Sequence, residues 1–311
     1  MPQTDDALAI SLLCSRLLPA DTPPLTARDI WKLIDGGIAP GALLTAVPDD
    51  LPGRVMPHQV AGRIALRRTW GLVAEELDAK GIRAVTLGED DYPSRLRSQL
   101  DRGAPALLYI AGDADVLETP GVGIVGSRDV SDDGADAARA VAAEAVSLGL
   151  PVVSGAARGV DRLAMDAAFQ ADGAVIGFPA DSMERLLRQA DVRRGVLDGR
   201  VVLATPYNPG ARFTVGNAMG RNRLIYAQSA LTVVIASADG TGGTWEGATE
   251  ALDKSYGRVA VWAGPGAGPG NHALVQHGAE EMDTTSALGQ LLQTPPEPNG
   301  RSQPEQLGLA V

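Results

Sequence analysis

Between residues 120 and 285, short runs of Val, Ile and Ala alternate with longer amphipathic stretches. The runs are "GVGIVGS", "LPVVSG", "GAVIGFP", "RVVLAT", "LTVVIAS" and "RVAVWAG". Each is too short for a helix, and each is apolar at successive rather than alternate positions, so both of its faces must be covered. Apolar spacings of three and four predict helices between them, over 132–148, 159–171, 182–197, 217–229 and 244–255. A repeat of this kind builds βαβ units, with right-handed crossovers and helices on both faces of a parallel sheet. The chain is predicted to be an α/β protein with a doubly wound parallel sheet.

The flanks read differently. From Thr4 to about Ala79, "DALAISLLCSRLL", "TARDIWKLIDGGI" and "HQVAGRIALRRTWGLVAEELDAKG" have helical spacing, with Asp21 or Thr26 as caps and Gly-Gly or Pro breaks between them. Residues 1–80 are thus expected to form a small all-helical domain and 81–285 the α/β domain. "TPPEPNGRSQPEQLG" is polar, rich in Pro and aperiodic, so 286–311 is expected to be a disordered tail.

Composition removes several classes of function. Neither a membrane helix nor a signal peptide is legible, so a cytoplasmic location is expected. A single cysteine, Cys14, excludes an internal disulfide, and its amphipathic setting in "ISLLCSRLL" marks it as a core residue. His58, His272 and His277 have no partner at ligand spacing, so no metal is expected. With a formal charge of −11 the surface as a whole repels phosphate, and a polyanion must be met at a local concentration of arginine. Lysine occurs only at 32, 80 and 254.

Ligands of an open α/β sheet bind where strands run out into helix N-termini. Four such turns carry small residues or arginines: Gly126, Ser127 and Arg128; Ser154, Gly155 and Arg158 before Gly159; Arg221, Asn222 and Arg223; and Thr241, Gly242, Gly243 and Thr244. Glycine lets backbone N–H groups approach an anion, and a helix N-terminus adds partial positive charge. Any one of these turns is more often a tight connection, and its Ser or Thr a cap. Arginine beside three of the four favours a phosphate-binding trough. No P-loop lysine follows a GxxxxG, and the dinucleotide fingerprint is absent, so no cofactor is expected.

In order along the chain, "YPSRLRSQL…PALLYIAGD", "GIVGSRDVS", "VVSGAARGVDRLAMDAA", "GRNRLI" and "GPGNHALVQHGA" resemble the motifs of the DNA-processing family DprA, also called Smf. The resemblance runs from about Tyr92 to Ala279. It implies a Rossmann-like core preceded by a small SAM-like helical domain, binding of single-stranded DNA at the sheet edge, homodimerisation through the core, and help in loading a RecA-type recombinase during natural transformation. It also implies that Arg128, the Ser154–Gly155 turn, Arg221 and Arg223 face DNA phosphate, with Asn271 near the same edge. The chain departs from the family in four places. Met165 stands where His is usual, and Ala204 and Thr205 replace a Ser-Glu pair. "TVGNAMG" is inserted before the RNR block, and the tail expected to be disordered stands where many members have a winged-helix domain. These departures suit a diverged member serving a mobile element or phage defence.

The wider superfamily also includes LOG-type nucleoside-monophosphate phosphoribohydrolases, whose GGxGTxxE supplies a catalytic Glu. Aligned on Gly243-Thr244, this chain has Gly247 at that position. Glu246 falls one residue early, about 100° round the helix, and Glu250 a turn late. The expectation is therefore a binding turn with no catalytic residue, the alternative being a nucleotide-binding or nucleotide-hydrolysing enzyme or sensor. Aromatic residues are few. Phe213, Tyr207, Tyr226 and Trp245 are the candidates for base stacking, with Tyr226 better suited to the core.

Overall fold

The computed structural model describes residues 4–19 and 21–294. Four helices open the chain: α1 (Asp5–Cys14), α2 (Ala27–Asp35), α3 (Pro57–Ile64) and α4 (Arg67–Ala79). Thr26 and Asp29 form a capping box at the start of α2, and Thr4 caps α1, so these two helices begin where a side chain meets their free N–H groups.

The rest of the chain alternates strands and helices. In order these are β1 (Arg83–Thr86), α5 (Ser94–Leu100), β2 (Leu107–Ala111), β3 (Gly121–Val125), α6 (Asp132–Ser147), β4 (Val152–Ser154), α7 (Val160–Gln170), β5 (Val175–Gly177), α8 (Met183–Leu187), α9 (Ala190–Leu197) and β6 (Val201–Thr205). There follow α10 (Val215–Gln228), β7 (Ser229–Val234), α11 (Gly243–Lys254), β8 (Val259–Trp262), α12 (Asn271–Gln276), β9 (Glu280–Met282) and α13 (Ala287–Gln293). The strands form one sheet in the order β1-β2-β6-β5-β4-β3-β7-β8-β9. Strands β3 to β9 pair in parallel, and β1 and β2 add an antiparallel edge beside β6. From β3 the chain winds out through β4, β5 and β6, then returns to the other side of β3 with β7. The crevice beyond the carboxyl ends of β3 and β7 is therefore the topological switch point.

The central strands β3, β6 and β8 are buried along their whole length, as their unbroken apolar runs require. Ser131 caps α6 by accepting from the Gly134 N–H. The face made by Ala138, Val141, Ala142 and Ala145 then lies fully buried against one side of the sheet. On the other side, Leu224, Ile225 and Ala248 of α10 and α11 pack with Val125, Val153, Ile176 and Val234.

The N-terminal helices are continuous with this core. Leu77 and Ile82 join the cluster under α6, and the Ser15 and Tyr109 hydroxyls lie 3.0 Å apart. Arg63, almost wholly buried, donates from Nε to the Leu12 carbonyl at 2.8 Å and from Nη2 to that of Ser15, tying α3 to the end of α1. Cys14 lies between these clusters, and burial pushes its thiol up to about 12.

Three details differ from the sequence reading. The antiparallel strands β1 and β2 extend the sheet before the parallel part begins. The helix expected over 182–197 is broken at Gln189, which is extended and accepts from Arg162 Nη1 at 2.9 Å. The tail expected from 286 begins with α13, whose Leu288 is buried against the α6 side of the sheet; residues 295–311 lie outside the described residues. Among the described residues no helix is long and apolar enough to cross a membrane, and no His, Cys, Asp and Glu cluster could hold a metal.

Candidate nucleic-acid interface

The loops that follow β3, β4, β6 and β7 enclose a groove at the switch point, divided into two adjoining clefts of about 920 and 550 Å³. Both are bordered by Arg128, Asp129, Ala157, Phe213 and Arg221. The wider one continues over α7 and α8 to Arg158, Arg162 and Arg185. The narrower one is closed by the start of α11 and by Asn222 and Tyr226 of α10.

Arg128 is exposed at the junction, with its guanidinium 4.6 Å from the centre of the Phe213 ring. That stacking contact holds an otherwise free cation over the groove. Phe213 itself stays 45% exposed. Arg158 is exposed too and pairs with Asp129 at 2.8 Å, a surface ion pair that a phosphate could replace at small cost. Ser127 turns inward on its own loop. Its Oγ donates to the Asp129 carbonyl and accepts from the Asp129 N–H, while its backbone N–H is held by Ala236 O at 2.9 Å. Gly126 lets the loop pass close to Val160, where a Cβ would lie 2.7 Å from Cγ2.

The Ser154-to-Asp161 turn is organised from beneath. Asp161, buried, accepts from the backbone N–H groups of Gly155 and Ala157 and faces Arg221 Nη1 at 3.5 Å. Burial pushes the Asp161 carboxyl above the ordinary carboxylate range, with Arg221 pulling the other way; burial likewise lowers Arg221. The guanidinium packs against Gly155, where a Cβ would sit 1.4 Å from Nη1, so any side chain there must push the guanidinium aside. Gly159 takes φ +86°, and a Cβ there would meet Ser127 O at 2.3 Å.

Several residues expected at the phosphate surface are placed elsewhere. Ser154 is fully buried and donates to the Ile124 carbonyl at 2.6 Å, closing the gap between adjacent strand ends. Arg221 is 4% exposed and forms the floor between the two clefts rather than an open contact. Arg223, two residues on, projects from another face of α10. Its charge is felt by Tyr207, Glu250 and Tyr256, and it borders neither cleft. Asn271 is buried: it accepts from the Ser237 N–H and donates to the carbonyls of Ile235 at 2.9 Å and Trp262 at 2.8 Å. That amide splices the ends of β7 and β8 together and touches no groove.

The fourth turn does face the narrower cleft. Thr241, Gly242 and Gly243 are exposed, Thr244 is half-buried, and no side chain caps α11, so its first N–H groups are open to the cleft. Asn222 reaches across to donate to the Gly243 carbonyl at 2.9 Å. Glu246 borders the same cleft, whereas Glu250 pairs with Lys254 at 2.5 Å on the helix flank. Trp245 packs against the α10–α11 core and Tyr226 is buried within it. Sequence reasoning missed Arg162 and Arg185. Their type was legible, but only the fold brings α7 and α8 to one rim.

A family model for DNA recombination-mediator protein A matches residues 83–293. Over 195 residues the chain is 31% identical to the DNA processing protein DprA of Streptococcus pneumoniae, covering 62% of this chain and 68% of that one. It is 29% identical over 267 residues to a putative DNA processing protein DprA of Mycobacterium tuberculosis, covering 75% and 65% respectively. The chain thus spans about two thirds of the length of these relatives. The solved structure of the S. pneumoniae protein aligns with TM-score 0.68 at 24% identity, over 93% of this chain and 99% of that one. A DNA processing protein A from Helicobacter pylori, described for a unique single-stranded DNA binding mode, aligns with TM-score 0.56 at 23% identity, over 68% and 97%. Motifs, topology and family model agree: the chain belongs to the DNA recombination-mediator protein A family of DNA-processing proteins.

Proposed function

We propose that this protein binds single-stranded DNA along the groove at the switch point and carries out no reaction on it. The observation that carries the reading is the junction of the two clefts. There an exposed arginine is held on an exposed phenylalanine, and further guanidiniums of Arg158, Arg162 and Arg185 run along the wider cleft. Flexible single strands are bound in this way, with cations tracking the backbone and a ring stacking a base. The Helicobacter relative's described binding mode supports the same ligand. In the cytoplasm, a homodimer of this kind would present bound strands to a RecA-type recombinase, in transformation or in phage defence.

Fluorescence anisotropy with an oligothymidylate at several salt concentrations tests the core of this. Arg128→Glu combined with Arg158→Glu should abolish binding. Each lost phosphate contact should flatten the log–log salt slope by about 0.7. Both residues are exposed, so the variant should unfold within about 0.5 kcal/mol of the parent. Retained affinity would reject the groove as the site. Glu246 on the narrower cleft is the one observation favouring a nucleotide hydrolase, and base release from nucleoside monophosphates that stops in Glu246→Gln would establish that reading instead.

A further inference from the structure

The two clefts differ in charge. Five arginines and two aspartates border the wider one, and there Arg158, Arg162 and Arg185 pair with Asp129, Asp191 and Asp181 at the surface, where a phosphate can displace the carboxylate. The narrower has two arginines, one of them committed to Asp161, against Asp129, Asp161 and Glu246. The first is the more cationic of the two. The second has a different lining: Val215, Ala218 and Met219 offer apolar surface, and the open N–H groups at the start of α11 stand beside the Glu246 carboxylate, so donors and an acceptor face one ligand together.

Glu246 projects from the first turn of α11, exposed, and its carboxylate pairs with no side chain among the described residues. Asn222 has its Nδ2 committed to the Gly243 carbonyl, which leaves Oδ1 as a second acceptor. Tyr226, 1% exposed, lines the same cleft with a buried hydroxyl that has no partner. A buried polar group without a partner is costly, and a ligand that supplies one recovers that cost. A carboxylate in a polyanion's groove repels the backbone unless something on the strand donates to it.

We propose that the narrower cleft receives one unpaired base of the bound strand and that Glu246 selects guanine there. This rests on the single-stranded DNA reading above. On guanine's pairing edge, N1–H and the N2 amino group lie side by side, and one carboxylate accepts from both. Cytosine and adenine each offer one amino group. Thymine offers a single N3–H between two carbonyl oxygens, which a carboxylate repels. Phe213, at the mouth of both clefts, stacks the neighbouring base.

The test compares all-thymine 12-mers with 12-mers carrying guanine at every fourth position, and with the same strands carrying inosine, which lacks the N2 amino group. The wild-type protein should bind the guanine strand tighter by on the order of tenfold, a value within the usual range for a bidentate base contact. Inosine should fall between. Glu246→Gln, which removes a charge from the groove and adds a donor that thymine carbonyls accept, should raise all-thymine affinity and collapse the preference. Equal affinities for guanine and thymine strands in the wild type, or a preference that survives Glu246→Gln, would overturn the inference while leaving the groove intact. If no strand binds, the single-stranded DNA reading itself fails.

Discussion

The Asp161–Arg221 pair separates a structural role from a ligand-binding one. Both side chains are at least nine-tenths buried, at 6% and 4% exposure, with 3.5 Å between Oδ2 and Nη1. At an effective dielectric of about 20, that spacing gives roughly 5 kcal/mol of attraction, most of it offset by the loss of hydration. Removing one partner is more damaging than the net worth of the pair, because the other charge stays behind. Breaking a buried pair costs about 3–5 kcal/mol. Asp161→Asn should fall in that range, and Asp161→Ala beyond it, since alanine also strips the acceptor from the Gly155 and Ala157 N–H groups. At about 2–4 °C per kcal/mol for a chain of this size, the melting temperature should drop by roughly 6–20 °C.

Arg221→Met should cost a similar amount with a different pH profile. Without its counter-charge the buried Asp161 carboxyl moves still further up. A folded-state value raised above the unfolded one means the native state holds the proton that the unfolded chain releases. Stability is then fully present at low pH and falls as pH rises from the ordinary aspartate range through the raised value. Urea melts of the two single variants and the double variant, without DNA, measure both terms. If Arg221 is instead a phosphate ligand reaching out to solvent, Arg221→Met will unfold at the wild-type urea midpoint, and the structural assignment is wrong.

Other substitutions test neighbouring statements. Gly155→Ala should displace the Arg221 guanidinium and destabilise by about 1–3 kcal/mol, read by thermal melting. Asn271→Ala leaves the Ser237 N–H and several carbonyls without a partner, and should cost at least about 2–3 kcal/mol in a urea melt. Phe213→Ala should weaken oligonucleotide binding by about 1–3 kcal/mol, seen by anisotropy as a loss of roughly fivefold to a hundredfold, with little change in unfolding. Cys14, half-buried and with its thiol raised to about 12 by burial, should react more slowly with thiol reagents at pH 8 in the folded protein than in denaturant.

The parallel part of the sheet was legible because strands covered on both faces must be apolar at every position, and nothing else in a chain this size needs that pattern. β1 was less visible. It is four residues long and only half covered, so "RAVT" carries no periodic signal. The break at Gln189 left none either, since it involves no Gly or Pro and depends on Arg162 from another helix. For the site, the loops singled out in the sequence do gather around one groove, while several of their side chains turn inward. Ser154, Arg221 and Asn271 have the residue types that bind phosphate, but the fold uses them to satisfy carbonyls and charge inside the protein. Donor chemistry can be read from residue type, whereas the direction a donor points depends on its tertiary neighbours. Arg128, on an exposed loop with no carboxylate within pairing distance among the described residues, keeps its guanidinium at the groove.

The hydroxyl contact between Ser15 and Tyr109, with Leu77 and Ile82 sunk in the core on the same side of the sheet, has a mechanical consequence. The helical segment cannot be shed like a module on a string, because its removal would strip cover from the second strand and from the sheet edge it guards. Deleting those helices should therefore lower the stability of the sheet itself, measured by thermal melting, rather than release an intact α/β unit.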